Sequence, residues 1–437
     1  MTMRRIPDST CRPAMRSAKR VAVFLVAAVV AGCGPDGALP NAPGEEEGPS
    51  ARLQLASPVE RSTSPGAAQS ASAPTPSQGQ ASGGADTSNA SAYHPAVAAL
   101  ARCTRGNGCP TTVPSDYVLT PSGWFHPSCI VPIDEDEEYD LLASKVNRRD
   151  GTGRGVAPCG HLPYDKKGKM FDPSARASHE APAQNPQDAV AEASKQTPPP
   201  LISWDWLADI HNDVSVGGVS SIEATWSVPA KAPSPGAIIY LFPGVQNGII
   251  LQPVLGSDSR PDGWTIQSWA CCDAGNNNLI SSSWATARTG DSIFGTATGS
   301  SCNAATGVCS TWTINTVNMT TGGSSSGTLT NNTRAYGTGA GQVVAGALET
   351  YWVDRCAQLP VPAVSFLNVV VKDINAKAIS PANLHWVNND WATWPGHVPE
   401  CWVKAYNYTT GDFTTGANIK WSLSGAPPFV AYTSILR

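Results

Sequence analysis

Charge is what this chain has least of. Of 437 residues only 14% are Asp, Glu, Lys or Arg, and 29 basic against 34 acidic residues leave a net charge of −5. An average soluble domain carries about 25%. The lack of a basic excess excludes nucleic acid as the main partner, which needs a concentrated cationic surface. No run reaches the ~20 apolar residues of a membrane-spanning helix. No Cys-x-x-Cys spacing occurs, which argues against zinc, and no Gly-x-Ser-x-Gly elbow has the strand–helix context of a serine hydrolase. Acid is thinnest in the second half: from Leu201 to Arg437 the glutamates are Glu223, Glu349 and Glu400 alone. What the chain does have is 14 Trp, 40 Gly, 37 Pro and 12 Cys, the balance of an extracellular β-rich protein.

Arg4, Arg5, Arg12, Arg16, Lys19 and Arg20 precede an apolar run from Val21 to Ala31, followed by Gly32-Cys33. A basic stretch, about 11 apolar residues and small residues at the break describe a secretory signal. Val30-Ala31-Gly32-Cys33 resembles the lipobox of bacterial lipoproteins. That resemblance implies lipidation of Cys33 and a chain that is exported and anchored to a bacterial membrane through its lipid, or secreted. Residues 34–92 are Ala, Ser, Pro and Gly with almost no large apolar side chains, and burial there cannot offset the entropy of ordering. They read as a disordered tether after the 1–33 signal.

Setting aside Cys11 and Cys33 leaves ten cysteines, an even number that suits disulfides in an exported protein. Cys103/Cys109 and Cys302/Cys309 each close a small loop, and Cys129/Cys159 a larger one. Cys271, Cys272, Cys356 and Cys401 allow three connectivities, of which the vicinal pairing Cys271–Cys272 is disfavoured. Residues 93–165 read as a Cys-containing module, a propeptide or added strands on the main domain, with a module that packs on or covers that domain preferred, and 166–199 as a linker.

Residues 200–437 alternate apolar and polar positions over short runs broken by Gly, Pro, Asn and Asp. Ile222, Ala224, Trp226 and Val228 fall on one strand face, and the runs on either side of Thr289-Gly290-Asp291 read as a hairpin. About a dozen strands with hardly any helical period predict an all-β fold, a two-sheet antiparallel sandwich or jelly roll of the concanavalin-like kind.

Two polar residues stand where these strands otherwise carry apolar groups. Gln252 shares a face with Ile250 and Val254, and Glu349 with Ala345, Ala347, Tyr351 and Val353. A carboxyl among apolar and aromatic neighbours is suited to taking and returning a proton, and an amide beside it to orienting water. Each residue equally fits the solvated face of its strand. His385, Asp390 and His397 are spaced too unevenly for a metal site, and Asp209, His211 and Asp213, after Trp204-Asp205-Trp206, read as an entry loop. Gly299-Ser-Ser and Gly323-Ser-Ser-Ser read as turns.

Ala224-Thr-Trp-Ser-Val-Pro229, Leu241-Phe-Pro-Gly244, Ile250-Leu-Gln252, the Gly290-Asp291 turn and Leu348-Glu349-Thr-Tyr351 occur in an order that resembles the glutamic peptidases of the eqolisin type. The likeness spans roughly residues 215–373. It implies a β-sandwich enzyme with a Glu/Gln dyad: Glu349 as general base and Gln252 as its amide partner, with Trp269, Tyr351, Phe242 and Trp226 lining the substrate. It also implies acidic-pH hydrolysis of a polypeptide by a monomer, with no cofactor and no metal. Two departures stand out, Leu241-Phe242-Pro243 where the family has a Trp-containing segment, and Pro253 directly after the Gln. The competing expectation is a non-catalytic sandwich that binds polysaccharide or peptide on exposed Trp.

Overall fold

Period-2 burial makes the strands, and their turns place them in two sheets. The computed structural model describes residues 93–104, 109–165, 167–170, 206–230, 237–257, 263–273, 276–353, 356–360, 363–390 and 403–421. All lie in one compact unit, residues 82–437. The signal with Cys33, the tether, most of 166–199, and Trp204, Trp391, Trp394, His397, Glu400 and Cys401 fall outside the described residues.

The first six strands are β1 (Val118–Thr120), β2 (Gly123–Phe125), β3 (Ile130–Ile133), β4 (Glu137–Asp140), β5 (Lys145–Arg148) and β6 (Gly153–Gly155). Next come β7 (Trp206–Asn212), β8 (Val219–Ser227), β9 (Ile238–Asn247), β10 (Ile249–Ser257), β11 (Trp264–Asp273), β12 (Asn278–Ser282) and β13 (Ala285–Ala287). The rest are β14 (Ser292–Asn303), β15 (Val308–Asn318), β16 (Ser324–Thr330), β17 (Val343–Tyr351), β18 (Ala363–Asp373), β19 (Trp386–Asp390), β20 (Lys404–Gly411) and β21 (Thr414–Lys420). The α-helices among the described residues, α1 (Pro95–Ala98) and α2 (Pro381–Leu384), are one turn each.

One sheet runs β19-β7-β17-β9-β10-β11-β12-β3, with β13 also on β11; the other runs β20-β21-β18-β8-β14-β15-β16-β4-β5-β6. The pairings are antiparallel except β12–β3 and β16–β4. Between the sheets lie Ile222, Ala224 and Trp226 of β8 and Val228 just after it, with Leu241, Leu251, Leu348 and Phe366. This is the expected sandwich. The first sheet's outer face carries a second core, where Leu119, Trp124 and Phe125 bury Phe242, Trp269 and Tyr351.

The 93–165 region divides in two. Residues 130–155 extend both sheets, and Val131, Ile133, Tyr139 and Val146 enter the inter-sheet core. The Tyr139 hydroxyl donates to Asp273 Oδ2 at 2.7 Å, fixing this edge to β11. Residues 95–129 instead cap the outer face of the first sheet.

Four expectations are corrected. The residues flanking Gly290 are no hairpin: β13 pairs with β11 and β14 with β8 and β15, so the chain crosses between sheets there. Cys271 and Cys272 do pair with each other. Both are buried on β11, Cys129 is bonded to Cys159, and Cys356 is itself in a disulfide, so no described free thiol competes. Ser324–Ser326 open β16 and Gly299–Ser301 lie within β14 rather than in turns. Asp209 and His211 stand on β7 and not in a loop, because the Trp206–Asn212 run buries Leu207 through Ile210 and pairs with β17. The bonds Cys103–Cys109, Cys129–Cys159 and Cys302–Cys309 form as expected.

Candidate functional site on the covered sheet face

Strand register arranges the first sheet's outer face in three rows. One row runs Thr265, Gly256, Tyr240, Glu349, Trp206. The middle row runs Gln267, Val254, then Phe242, Ala347, Asp209, Asn389. The third holds Trp269 beside Gln252, and Gly244 beside Val344 and His211.

Glu349 is 0% exposed, yet its carboxyl is not bare. Tyr351 Oη donates to Oε1 at 2.7 Å, and Trp206 Nε1 donates to Oε2 at 3.1 Å. Tyr351 is two residues along β17 and so on the same face, while Trp206 is the cross-strand partner of Glu349 on β7. Phe242 packs edge-on against Trp206, with centroids 5.5 Å apart, and Tyr240 edge-on against Tyr351 at 5.9 Å. A carboxyl dried by aromatics and held by two neutral donors is a proton-transfer group in the making.

The neighbours of Glu349 differ from the simple period-2 expectation. Ala347 and Tyr351 share its face, whereas Ala345 and Val353 pack between the sheets. For Ala345 the cause is a register shift between Val344 and Ala347; Val353 lies past the end of β17, after Trp352 with its φ of 60°. Gly346 sits at that bulge, and a Cβ there would meet the Phe366 ring at 2.3 Å, so only Gly lets β17 approach β18 so closely.

Gln252 lies on the same face, 1% exposed, with its Oε1 buried and without a hydrogen-bond partner. It does not stand beside Glu349. Leu251 pairs with Val245 and Leu255 with Leu241, which sets Gln252 opposite Gly244, while Glu349 pairs with Tyr240. Four residues of β9 separate the two rows, about 13 Å at ~3.3 Å per residue. Phe242 and Ala347 occupy the row between them. The two residues are therefore not cross-strand neighbours in this covered conformation, but stand on different rows of the face. Trp269, Phe242 and Tyr351 share the core on this face. Trp226 does not: it is 1% exposed between the sheets against Phe366, because its alternation on β8 points it at the other core.

Sequence placed Trp206 in an entry loop and the cap in a module over the main domain, but gave neither a link to Glu349. Thr120 matters most: its carbonyl oxygen lies 3.0 Å from Tyr351 Oη and shares that hydroxyl's single proton with Glu349, so the cap touches the residue that holds Glu349. A Thr-Pro-Ser-Gly turn carries no signal of such a role. No described Trp is exposed, which removes from these residues the aromatic platform that a sugar-binding face needs.

Farther along the face, Asp209 is buried, hydrogen-bonded to His211 Nδ1, and accepts from Asn389 Nδ2 at 2.9 Å. Burial pushes the His211 imidazole towards its neutral form, but the Asp209 carboxylate, helped by Asp213, outweighs it and leaves the pKa raised. A raised folded-state pKa adds stability below the ordinary histidine range that is lost as pH climbs through the raised value. A charge-assisted bond of this kind is worth about 1.5–3 kcal/mol. His211→Gln is therefore expected to lower the melting temperature more at pH 5.5 than at pH 9, as scanning calorimetry at both values would read.

No family model matches the chain, and no curated protein sequence does. Among solved structures, Scytalido-glutamic peptidase with a peptide-based transition-state analogue is 14% identical, with a TM-score of 0.35, over 51% of this chain and 100% of that one. SCP-B, a member of the Eqolisin family of peptidases in a complex with the tripeptide Ala-Ile-His, is 14% identical with a TM-score of 0.32 over the same shares. Tailspike protein 2 of an Escherichia coli O157:H7 bacteriophage is 14% identical with a TM-score of 0.22, over 44% of this chain and 28% of that one. These are distant likenesses and assign no residue.

Proposed function

We propose that the covered face is a polypeptide-hydrolysing site of the glutamic-peptidase type, with Glu349 as the group that moves the proton. One observation carries the reading: a carboxyl at 0% exposure, held by a tyrosine hydroxyl and an indole N–H on an aromatic-lined sheet face. Ionised, Glu349 would take a proton from a water as that water attacks a scissile carbonyl. Protonated, it would return the proton to the leaving nitrogen. Atoms balance without a covalent intermediate, and a carboxylate base places the optimum on the acid side.

The polar groups nearest Glu349 are Tyr351 Oη and Trp206 Nε1, which donate to its carboxylate, and Gln252 is two rows away. Its unpartnered Oε1 suits a different task, accepting a backbone N–H from an extended substrate about four residues from the cleaved bond. The substrate class proposed is an unfolded or extended polypeptide, and Phe242 and Trp269 provide its apolar contacts. Export and lipid anchoring at Cys33 are proposed on the sequence motif alone.

The test is hydrolysis of a denatured, fluorescently labelled protein by the full chain from pH 3 to 7. Tyr351→Phe removes a hydrogen bond to a charged group, and such bonds are worth about 1.5–3 kcal/mol, so a loss of roughly 10- to 100-fold in kcat with little change in KM is expected. Full activity in Tyr351→Phe, or none in the wild type once the cap is shown to be open, would sink the reading.

A further inference from the structure

The cap is held from both sides. Beneath it, Leu119, Trp124 and Phe125 pack on the Glu349 face, and Thr120 takes the Tyr351 hydroxyl. Above it runs a strap, residues 159–165 and 167–170. Trp124 N donates to Tyr164 O at 2.8 Å and Tyr164 N to Trp124 O at 3.0 Å. Tyr117 Oη donates to Leu162 O at 2.9 Å, and Thr112 Oγ1 to Gly168 O at 2.6 Å.

Where cap and strap meet beside the Cys129–Cys159 bond, the rings of His126 and His161 stack with centroids 3.7 Å apart and planes 15° from parallel. Neutral imidazoles stack comfortably, and two imidazolium ions at that distance repel. The groups facing the pair are few. Asp116 Oδ2 lies 3.3 Å from His126 Nε2, Ser128 Oγ 2.6 Å from Nδ1, and the Tyr117 ring stands edge-on at 5.7 Å.

We propose that residues 95–129 are an autoinhibitory cover over the Glu349 face, and that charging the His126–His161 stack in acid loosens the clasp between cover and strap. The functional meaning rests on the peptidase reading above; the opening itself does not. The closed chain leaves no path to Glu349, and an enzyme whose base works in acid would be uncovered in the range where it works. Burial and the neighbouring His161 hold the His126 pKa below the ordinary value, with Asp116 opposing them, so His126 stays neutral at neutral pH. A depressed folded-state pKa contributes stability present above the ordinary histidine range and lost as pH falls through the depressed value.

Two partly solvated unit charges 3.7 Å apart cost on the order of a tenfold change in an equilibrium. Hydrogen exchange on the full chain, corrected for the intrinsic pH dependence of amide exchange, reads that change directly. The Leu119, Trp124 and Tyr164 amides are expected to lose about tenfold in protection between pH 7.5 and 5, while those of β10 hold. In His126→Gln/His161→Gln the step is expected to vanish, and the more exposed His161→Gln alone serves if the double variant misfolds. Equal protection of the wild type at both pH values, or an undiminished step in the variants, overturns the cover. Lost protection without hydrolysis upholds the cover and removes the peptidase reading. Hydrolysis by a chain whose hairpin stays protected does the reverse.

Discussion

Glu349→Gln is expected to reduce hydrolysis of a denatured polypeptide by about 10²- to 10⁴-fold, the range for removing a positioned acid–base group. The substitution is nearly isosteric, and its carbonyl oxygen still accepts from either Tyr351 or Trp206. Its NH₂ can donate to Tyr351 Oη, whose own proton then goes to the Thr120 carbonyl, while Trp206 Nε1 keeps the amide oxygen. Activity is compared per folded molecule, so that any change in stability is set apart from a change in rate. The decisive control is the hairpin protection of the variant in acid. If its cap opens as in the wild type and hydrolysis is unchanged, Glu349 is not the proton-transfer group.

Trp226→Ala is expected to cost about 3–5 kcal/mol, the toll of emptying a large aromatic site in a core. Its ring fills the space between the sheets against Phe366, with centroids 5.5 Å apart. Gly295 on β14 shows how tight the fit is, since a Cβ there would lie 2.5 Å from the indole. Against a total stability of roughly 5–15 kcal/mol the loss is large. Urea unfolding would show it as a lower midpoint with an unchanged slope. Trp226→Phe should cost less, because it keeps a ring and removes an indole N–H that has no partner. Activity per folded molecule should not move in either variant, which separates Trp226 from the residues on the covered face.

The strands were legible because their faces differ. Ile222, Ala224, Trp226 and Val228 alternate against polar neighbours, and all four do face one core. Glu349 was legible for the same reason, as a charge on a face of small and aromatic residues. Three things were not legible. The bulge at Gly346 resets the alternation, and a period-2 count cannot see it. The offset between Gln252 and Glu349 depends on how β9 pairs with both neighbours, a register that neither strand encodes by itself. The crossing at Gly290 uses the same turn residues as a hairpin, so local chemistry cannot tell the two apart.

The parallel pairings at the sheet edges have a consequence for order in time. Ile130 pairs with Leu279, and Tyr139 with Leu329, so each contact joins residues about 150 to 190 positions apart. Contacts of such long range are slow to form, because the loop between them must close first. A chain leaving the ribosome has made its cap segment long before the strands that seat it exist. The β3 and β4 edges are thus expected to join their sheets late, after β12 and β16 have been made.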